Sequence, residues 1–354
     1  MQTSPPGDGT TELVSVVVPC HNAAPFVAET LESVLAQTYP SVEAVVVDDA
    51  STDGSWEVVK RFTDRWPDRV RALRLESNRG GGFARNRGAE LARGGFLMFL
   101  DADDYVAPGA MAALVPAVRS QPGALAAGES CKVELDAAGR WTEAGRNARL
   151  PSPDPDAALR GWLEGSAWVP TCALLWRRDV YESTGGWDES VARNQDGDIA
   201  MRALVNGARI VRVPEMVGFY RMHGSARMSV SRNFVHADKL SSQLKVIDRI
   251  DSILLAQGRR DDFAQALAAD YESVALQAFQ NTHWQLGREC LARARRLGGR
   301  GMQSATRHGR ALERVLGMEG KERLTQALAR AGLMSAGRRT MVGLRVRAAA
   351  DGTP

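Results

Sequence analysis

Short β-branched runs alternate with amphipathic stretches over roughly the first hundred residues of the chain. Val14-Ser-Val-Val-Val18, ending at Pro19, is apolar without alternation, the pattern of a strand covered on both faces in a parallel sheet. From Ala28 to Gln37, Leu31, Val34 and Leu35 recur at helical spacing, and Val42 to Val47 predicts a second strand running into Asp48-Asp49. Ser51-Thr-Asp-Gly-Ser55 supplies turn and N-cap chemistry before a helix over Trp56 to Trp66, and Val70 to Leu75 predicts a third strand. Asn78-Arg-Gly-Gly-Gly82 interrupts the chain, a helix follows over Phe83 to Arg93, and Gly95 to Leu100 predicts a fourth strand. Repeated alternation of this kind predicts a layered α/β fold with right-handed crossovers.

Beyond that point the pattern predicts a helix over Pro108 to Ser120, strands within Gly123 to Arg140, and a loop or boundary at Pro151-Ser-Pro-Asp-Pro155. Trp168 to Trp176 predicts another strand and Gly185-Gly-Trp-Asp188 a turn. Asp196-Gly-Asp198 stands before a helix over Ile199 to Asn206. From about Val235 Leu, Ala, Arg and Gln dominate and strand signals cease. The expected organisation is a flexible terminus over 1–12, an α/β domain over 13–232 and an Arg-rich helical region over 233–354.

Composition narrows the setting. Cys20, Cys131, Cys172 and Cys290 lie far apart without CxxC spacing, which argues against a zinc cage or a disulfide framework and fits a reducing compartment. The terminus lacks the basic-then-apolar layout of a signal peptide, and no apolar run approaches the ~20 residues of a spanning helix. A cytoplasmic protein, at most peripheral at the inner membrane face, is expected. The net charge of +3 hides an asymmetry: residues 231–354 hold 21 Lys and Arg against 12 Asp and Glu, and the first 230 hold 24 against 30. The basic rear suits anionic lipid headgroups or a phosphate-bearing acceptor, or is only a solvated helical surface; a nucleic-acid partner is the least expected.

Asp101-Ala-Asp-Asp104 follows the fourth strand and brings three carboxylates to its carboxyl edge. Residues two apart on an extended segment share a face, and hard divalent cations favour oxygen ligands, so a metal holding a phosphate is the first reading. The plainer one is a cap on the turn into the next helix. In open α/β sheets ligands bind outside the carboxyl ends of the strands, where Pro19 to Asn22, Asp48-Asp49 and Asp101 to Asp104 all fall.

The ordered series Val14-Ser-Val-Val-Val-Pro-Cys-His-Asn22, Leu35-Ala-Gln-Thr-Tyr-Pro40, Val47-Asp-Asp-Ala-Ser-Thr-Asp-Gly54, Asn78 through Ala84-Arg85-Asn86, Asp101-Ala-Asp-Asp104, Gly186-Trp-Asp188, Asp196-Gly-Asp198 and Tyr220-Arg-Met-His223 resembles the family 2 nucleotide-sugar glycosyltransferases. The resemblance covers about Val14 to Ser229. It implies the GT-A fold, a Rossmann-like mixed sheet, here with a C-terminal helical appendage.

It also implies a metal-dependent inverting transfer of one sugar from a nucleoside-diphosphate sugar, UDP-linked by preference, to a hydroxyl of a glycan or lipid-linked acceptor. Asp49 is expected at the nucleobase beside Pro19, with Asn78 and Ala102 in the same nucleotide site and Asp101 near the ribose. Asp103 is expected to ligate Mn²⁺ or Mg²⁺, with His223 as a further ligand or diphosphate contact. Asp104 binds the metal, directly or through water, or caps the next turn. Arg85 and Arg221 suit the diphosphate, because an Arg fork matches phosphate oxygens. Asp196 corresponds to the general base, and Asp198 to a helix anchor or an alternative base. One departure stands out: the family commonly has Glu where this chain has Gln195. No Gln-x-x-Arg-Trp segment follows His223, which points away from processive synthesis. The contrasting reading is a weak or inactive nucleotide-sugar-binding scaffold that acts through its helical rear.

Overall fold

The computed structural model describes residues 12–147, 149–222, 237–301, 304 and 306–331, which fall into two compact units. The first holds the described residues up to Ala158, then Trp168–Ser190 and those from Gln195 to Met222. Its β1 (Val14–Cys20), β2 (Val42–Asp48), β3 (Val70–Arg74) and β4 (Phe96–Phe99) lie parallel in the order β3-β2-β1-β4. Val17 pairs with Val45 on one side and Phe99 on the other, and all three are fully buried. Covering such a strand residue stabilises by roughly 1.5–3 kcal/mol per Val or Phe relative to exposure, which is why continuous β-branched runs settle at the sheet centre. The connecting helices are α1 (Val27–Leu35), α2 (Ser55–Arg65) and α3 (Gly81–Leu91). At Gly88 of α3 a Cβ would stand 2.3 Å from Val17 Cγ1, so the missing side chain is what lets that helix lie against β1.

The remaining strands make the sheet mixed. β8 (Leu174–Arg177) runs antiparallel to β4, and β6 (Ala124–Leu135) antiparallel to β8. β9 (Arg209–Met222) is parallel to β6, and β5 (Tyr105–Val106) closes the edge against β9. β7 (Trp141–Arg146) pairs with the distal half of β6. The helix after β5 is α4 (Ala110–Arg119), and Pro155 opens α5 (Pro155–Leu163), where Asp154 Oδ1 accepts from Ala157 N at 2.7 Å.

Three elements differ from the sequence pattern. The strand expected over Trp168 to Trp176 is a 3₁₀ turn over Thr171–Ala173 followed by β8, with Pro170 capping the turn. Tyr220 to Met222, given no element by the sequence pattern, belong to β9, pairing Tyr220 with Lys132 and Arg221 with Val133. The helix expected from Ile199 is α7 (Gln195–Val205) and includes the acidic motif in its first turn, beside α6 (Arg178–Ser183) in chain order. Carboxylates there are favoured by the helix dipole.

The second unit holds Leu159–Ala167, Val191–Asn194 and the described residues from Ala237 onward. Its helices are α8 (Ala237–Ala256), α9 (Ala264–Gln280), α10 (Trp284–Arg296) and α11 (Arg307–Arg330). Leu240, Ile247, Ile250 and Leu254 of α8 and Leu267, Val274, Ala278 and Phe279 of α9 are fully buried. Among the described residues no helix is long and apolar enough to cross a membrane.

Candidate active site

The ends of β1 and β2 are knitted together by main-chain and side-chain bonds. Asp49 N donates to the Cys20 carbonyl at 2.7 Å, the His21 Nδ1 site meets the Asp49 carbonyl at 2.7 Å, and Thr52 N donates to Asn22 Oδ1 at 2.8 Å. Asn22 and Ala50 both take positive φ, 51° and 56°, where the chain doubles back. The buried Asp49 carboxylate accepts from Arg79 N at 2.7 Å and Gly80 N at 2.8 Å. It thereby fixes the entry to α3, where Gly80 holds φ 88°. Asn78, exposed, begins this loop, so Pro19, Asp49 and Asn78 come to one edge of the sheet.

Asp101, Asp103 and Asp104 present oxygens that all lie within 4.8 Å of one another. A turn gathers them, Asp104 N donating to the Asp101 carbonyl at 2.9 Å, where an extended segment was expected. Thr30 Oγ1 lies 2.9 Å from the Ala102 carbonyl and 2.7 Å from that of Asp104, tying the turn to α1. Asp104 is buried and its Oδ1 accepts from Arg221 N at 2.9 Å. The next helix has Gly109 at its N-cap, and the Asp104 carboxylate, read from the sequence as a metal ligand or a cap, meets the β9 backbone. Burial, then Asp103 and Asp101, push the Asp104 carboxyl well above the ordinary carboxylate range. Three close oxygens with this much mutual repulsion fit a hard divalent cation.

Arg85 joins this turn to the acidic motif of α7. Its side chain is 8% exposed, and it donates to Asp101 Oδ1 at 2.6 Å and to Gln195 Oε1 at 2.9 Å. The guanidinium also lies 4.6 Å from the Trp187 ring centroid. Burial alone would lower its pKa; Asp101, Asp196 and Asp103 outweigh that and hold it above the ordinary value. Asp196 is partly exposed as a residue, yet desolvation of its carboxyl raises the pKa to about 6, against the lowering influence of Arg85 and with a further push from Asp101. Asp198 is 1% exposed and paired with Arg202 at 2.5 Å, the geometry of a helix anchor.

Arg221, the second arginine expected at the diphosphate, stands behind the acidic turn. It is 2% exposed, donates to the Asp103 carbonyl at 2.7 Å and to Glu29 Oε2 at 2.5 Å, and lies 4.9–5.3 Å from the ring centroids of Phe26, Tyr105 and Trp141. It braces the acidic turn from behind. His223 lies outside the described residues.

Thr30 and Glu29, and the pairing of Asn86 with Trp187, carry no local signature in the sequence. The Asn86 amide donates to the Trp187 carbonyl at 2.9 Å and accepts from Trp187 N at 2.9 Å and Tyr181 OH at 3.0 Å, clamping the Gly-Trp-Asp turn to α3. Asn86 and Gly186-Trp-Asp188 are both visible as motif segments in the chain, but their pairing is long-range.

Residues 15–183 match the model of glycosyl transferase family 2. That stretch carries a family 2 glycosyltransferase domain. It is 30% identical over 215 residues to an uncharacterized glycosyltransferase of Nostoc sp., covering 60% of this chain and 65% of that one. It is 28% identical to the succinoglycan biosynthesis protein ExoU of Rhizobium meliloti, covering 77% and 78%. The chain spans just under two thirds of the Nostoc protein and 28–36% of three further curated glycosyltransferases. The structure of S. aureus TarS 1-349 in complex with UDP-GlcNAc superposes with a TM-score of 0.54 at 20% identity, over 82% of this chain and 93% of that one. The fold is GT-A, with the acidic turn at the carboxyl end of β4.

Proposed function

We propose that the protein moves one sugar from a nucleoside-diphosphate sugar, UDP-linked, to a hydroxyl of a glycan or glycolipid-type acceptor, with inversion and without processive synthesis. The observation that carries this is the charge network in which Arg85 holds Asp101 of the acidic turn and lowers the pKa of Asp196, leaving that carboxyl near 6. A base poised there is ionised at neutral pH yet still basic enough to accept a proton.

Asp101, Asp103 and Asp104, with His223 added from the sequence resemblance, are the residues that would hold Mn²⁺ or Mg²⁺. Such an ion, when bound, neutralises charge on the leaving diphosphate. Pro19, Asp49, Asn78 and Ala102 would line the nucleoside; each Asp49 oxygen engaged by the α3 entry loop retains a second lone pair for a base N–H. Asp196 takes the proton of the acceptor hydroxyl as its oxygen attacks the anomeric carbon, the bond from that carbon to the diphosphate oxygen breaks, and the nucleoside diphosphate departs with the electron pair. Base catalysis of this kind contributes roughly 10²–10⁴-fold. The UDP-GlcNAc bound by TarS and the succinoglycan role of the Rhizobium relative support the donor and acceptor classes.

A nucleotide-sugar panel with Mn²⁺ or Mg²⁺, read by released nucleoside diphosphate in the presence of membrane-glycan extracts, tests the reading. Asp103→Asn should abolish metal-dependent turnover; Asp196→Asn should keep donor binding by thermal shift and lose transfer. Donor binding with no turnover across the whole panel would assign the chain to the scaffold reading instead.

A further inference from the structure

The first half of α11 turns its apolar side outward. Gly309 and Glu313 face inward, and Glu313 Oε1 is 3.0 Å from the buried Lys321 ammonium. At about 100° per residue Ala311, Leu312 and Val315 fall on another side of the helix, and Leu316 lies at its border with the inward face. Leu312 is 41% exposed, Leu316 43% and Val315 81%, so Val315 stands open and the two leucines are about half covered. Arg307, Arg310 and Arg314 are exposed along its flank. At its far end, past the non-helical Gly317, Leu316 borders a cavity of about 320 Å³ that is also lined by Arg288 and Arg295 of α10. Glu319 pairs with Arg288 at 3.1 Å and Arg310 donates to the Ser304 carbonyl at 3.3 Å, so these five arginines stand against the one carboxylate of Glu319. The described part of α11 is followed in sequence by Arg338, Arg339, Arg345 and Arg347 against the single acid Asp351.

We infer that this face of α10 and α11 docks on an anionic phospholipid surface. A bilayer interface offers, at adjacent depths, acyl carbon for Leu312, Val315 and Leu316 and phosphate for the arginines. Nucleic acid supplies the phosphate alone. An interfacial helix of this type buries its apolar side at the headgroup boundary, and each basic residue near the surface strengthens the attachment about fivefold. The inference concerns only the helical unit and stands apart from the transfer chemistry.

Flotation of the full chain with vesicles of phosphatidylcholine alone, or with about a third phosphatidylglycerol, tests it. Binding is expected to the anionic vesicles only and to fall with salt. Val315→Asp, at a site exposed enough to leave packing untouched, should weaken binding more than tenfold, and Arg307→Gln with Arg314→Gln roughly twentyfold, with melting temperature and donor turnover unchanged. Equal binding to neutral vesicles, full retention in Val315→Asp, binding to RNA in preference to phosphatidylglycerol, or loss only on deleting residues 332–354 would each overturn it.

Discussion

Replacing Arg85 by Gln should move the pH dependence of catalysis, and the direction follows from the site. Arg85 is the cation that lowers the Asp196 pKa, offsetting the larger effect of burial. An opposite charge at this range lowers a carboxyl pKa by roughly 1–3 pH units, so its removal should raise the Asp196 pKa from about 6 to at least about 7. Because the ionised form is the base, the acid limb of kcat/KM must shift toward higher pH. At pH 6.5 the ionised fraction drops from roughly three quarters to one quarter, a loss of about threefold that disappears above pH 9. Gln retains a hydrogen-bonding side chain, and any lost donor contact would lower kcat/KM equally at all pH values. Initial rates from pH 5 to 9.5 at saturating Mn²⁺ separate the two effects. Gln195→Glu should shift the limb the same way by less, since it adds a carboxylate while Arg85 remains. Coincident acid limbs for Arg85→Gln and the wild type would refute the coupling of Arg85 to the base.

Three further substitutions probe the frame. Asn86→Ala removes the clamp on both Trp187 backbone groups and should cost about 2–4 kcal/mol of stability by denaturant melts, together with a fall in kcat. Thr30→Val keeps the shape of a buried residue but takes the hydroxyl from the Ala102 and Asp104 carbonyls, so stability should fall by about 1–2 kcal/mol and the Mn²⁺ midpoint in thermal-shift titrations should rise. Asp270, buried in the helical unit, has its carboxyl raised by desolvation from 3.8 to about 7, against the lowering effects of Gln243 and Arg193. The folded chain therefore holds this proton more tightly than the unfolded one, and stability is lost as pH rises from about 4 through 7. Asp270→Asn should be more stable than the wild type at pH 8 by up to about 4 kcal/mol and no more stable at pH 4, by urea melts; parallel pH profiles would sink the assignment.

The β-branched runs were legible because β1 and β2 are buried on both faces, which demands continuous apolar residues and leaves a local signature. β9 was not. Its burial alternates irregularly, it contains Pro214 and Glu215, and its register against β6 shifts on either side of Glu129, so much of its evidence lies in the partner strand. The same long-range dependence hid Arg221. A basic residue at the end of a motif reads as a phosphate contact, and only the three rings and Glu29 around it reveal a brace. The acidic turn was legible as a cluster, since its members are adjacent in sequence, but the distinct tasks of Asp103 and Asp104 were not, because the Arg221 amide that engages Asp104 is 117 residues away.

Gln195 shows how such a network reverses a reading from residue type. As a departure from the usual Glu, it reads as the loss of an acidic group beside the base. In the site its Oε1 accepts from Arg85 at 2.9 Å, so the hydrogen bond that orients the guanidinium is present without a second carboxylate. A Glu there would neutralise Arg85 from the other side and set a like charge next to Asp196, both of which raise the pKa of a base already lifted to about 6 by desolvation. The amide leaves the Arg85 charge to Asp101 and Asp196. With Asp196 as the proposed base, Gln195 therefore favours its ionised form at neutral pH, which suits the proposed transfer better than the scaffold reading.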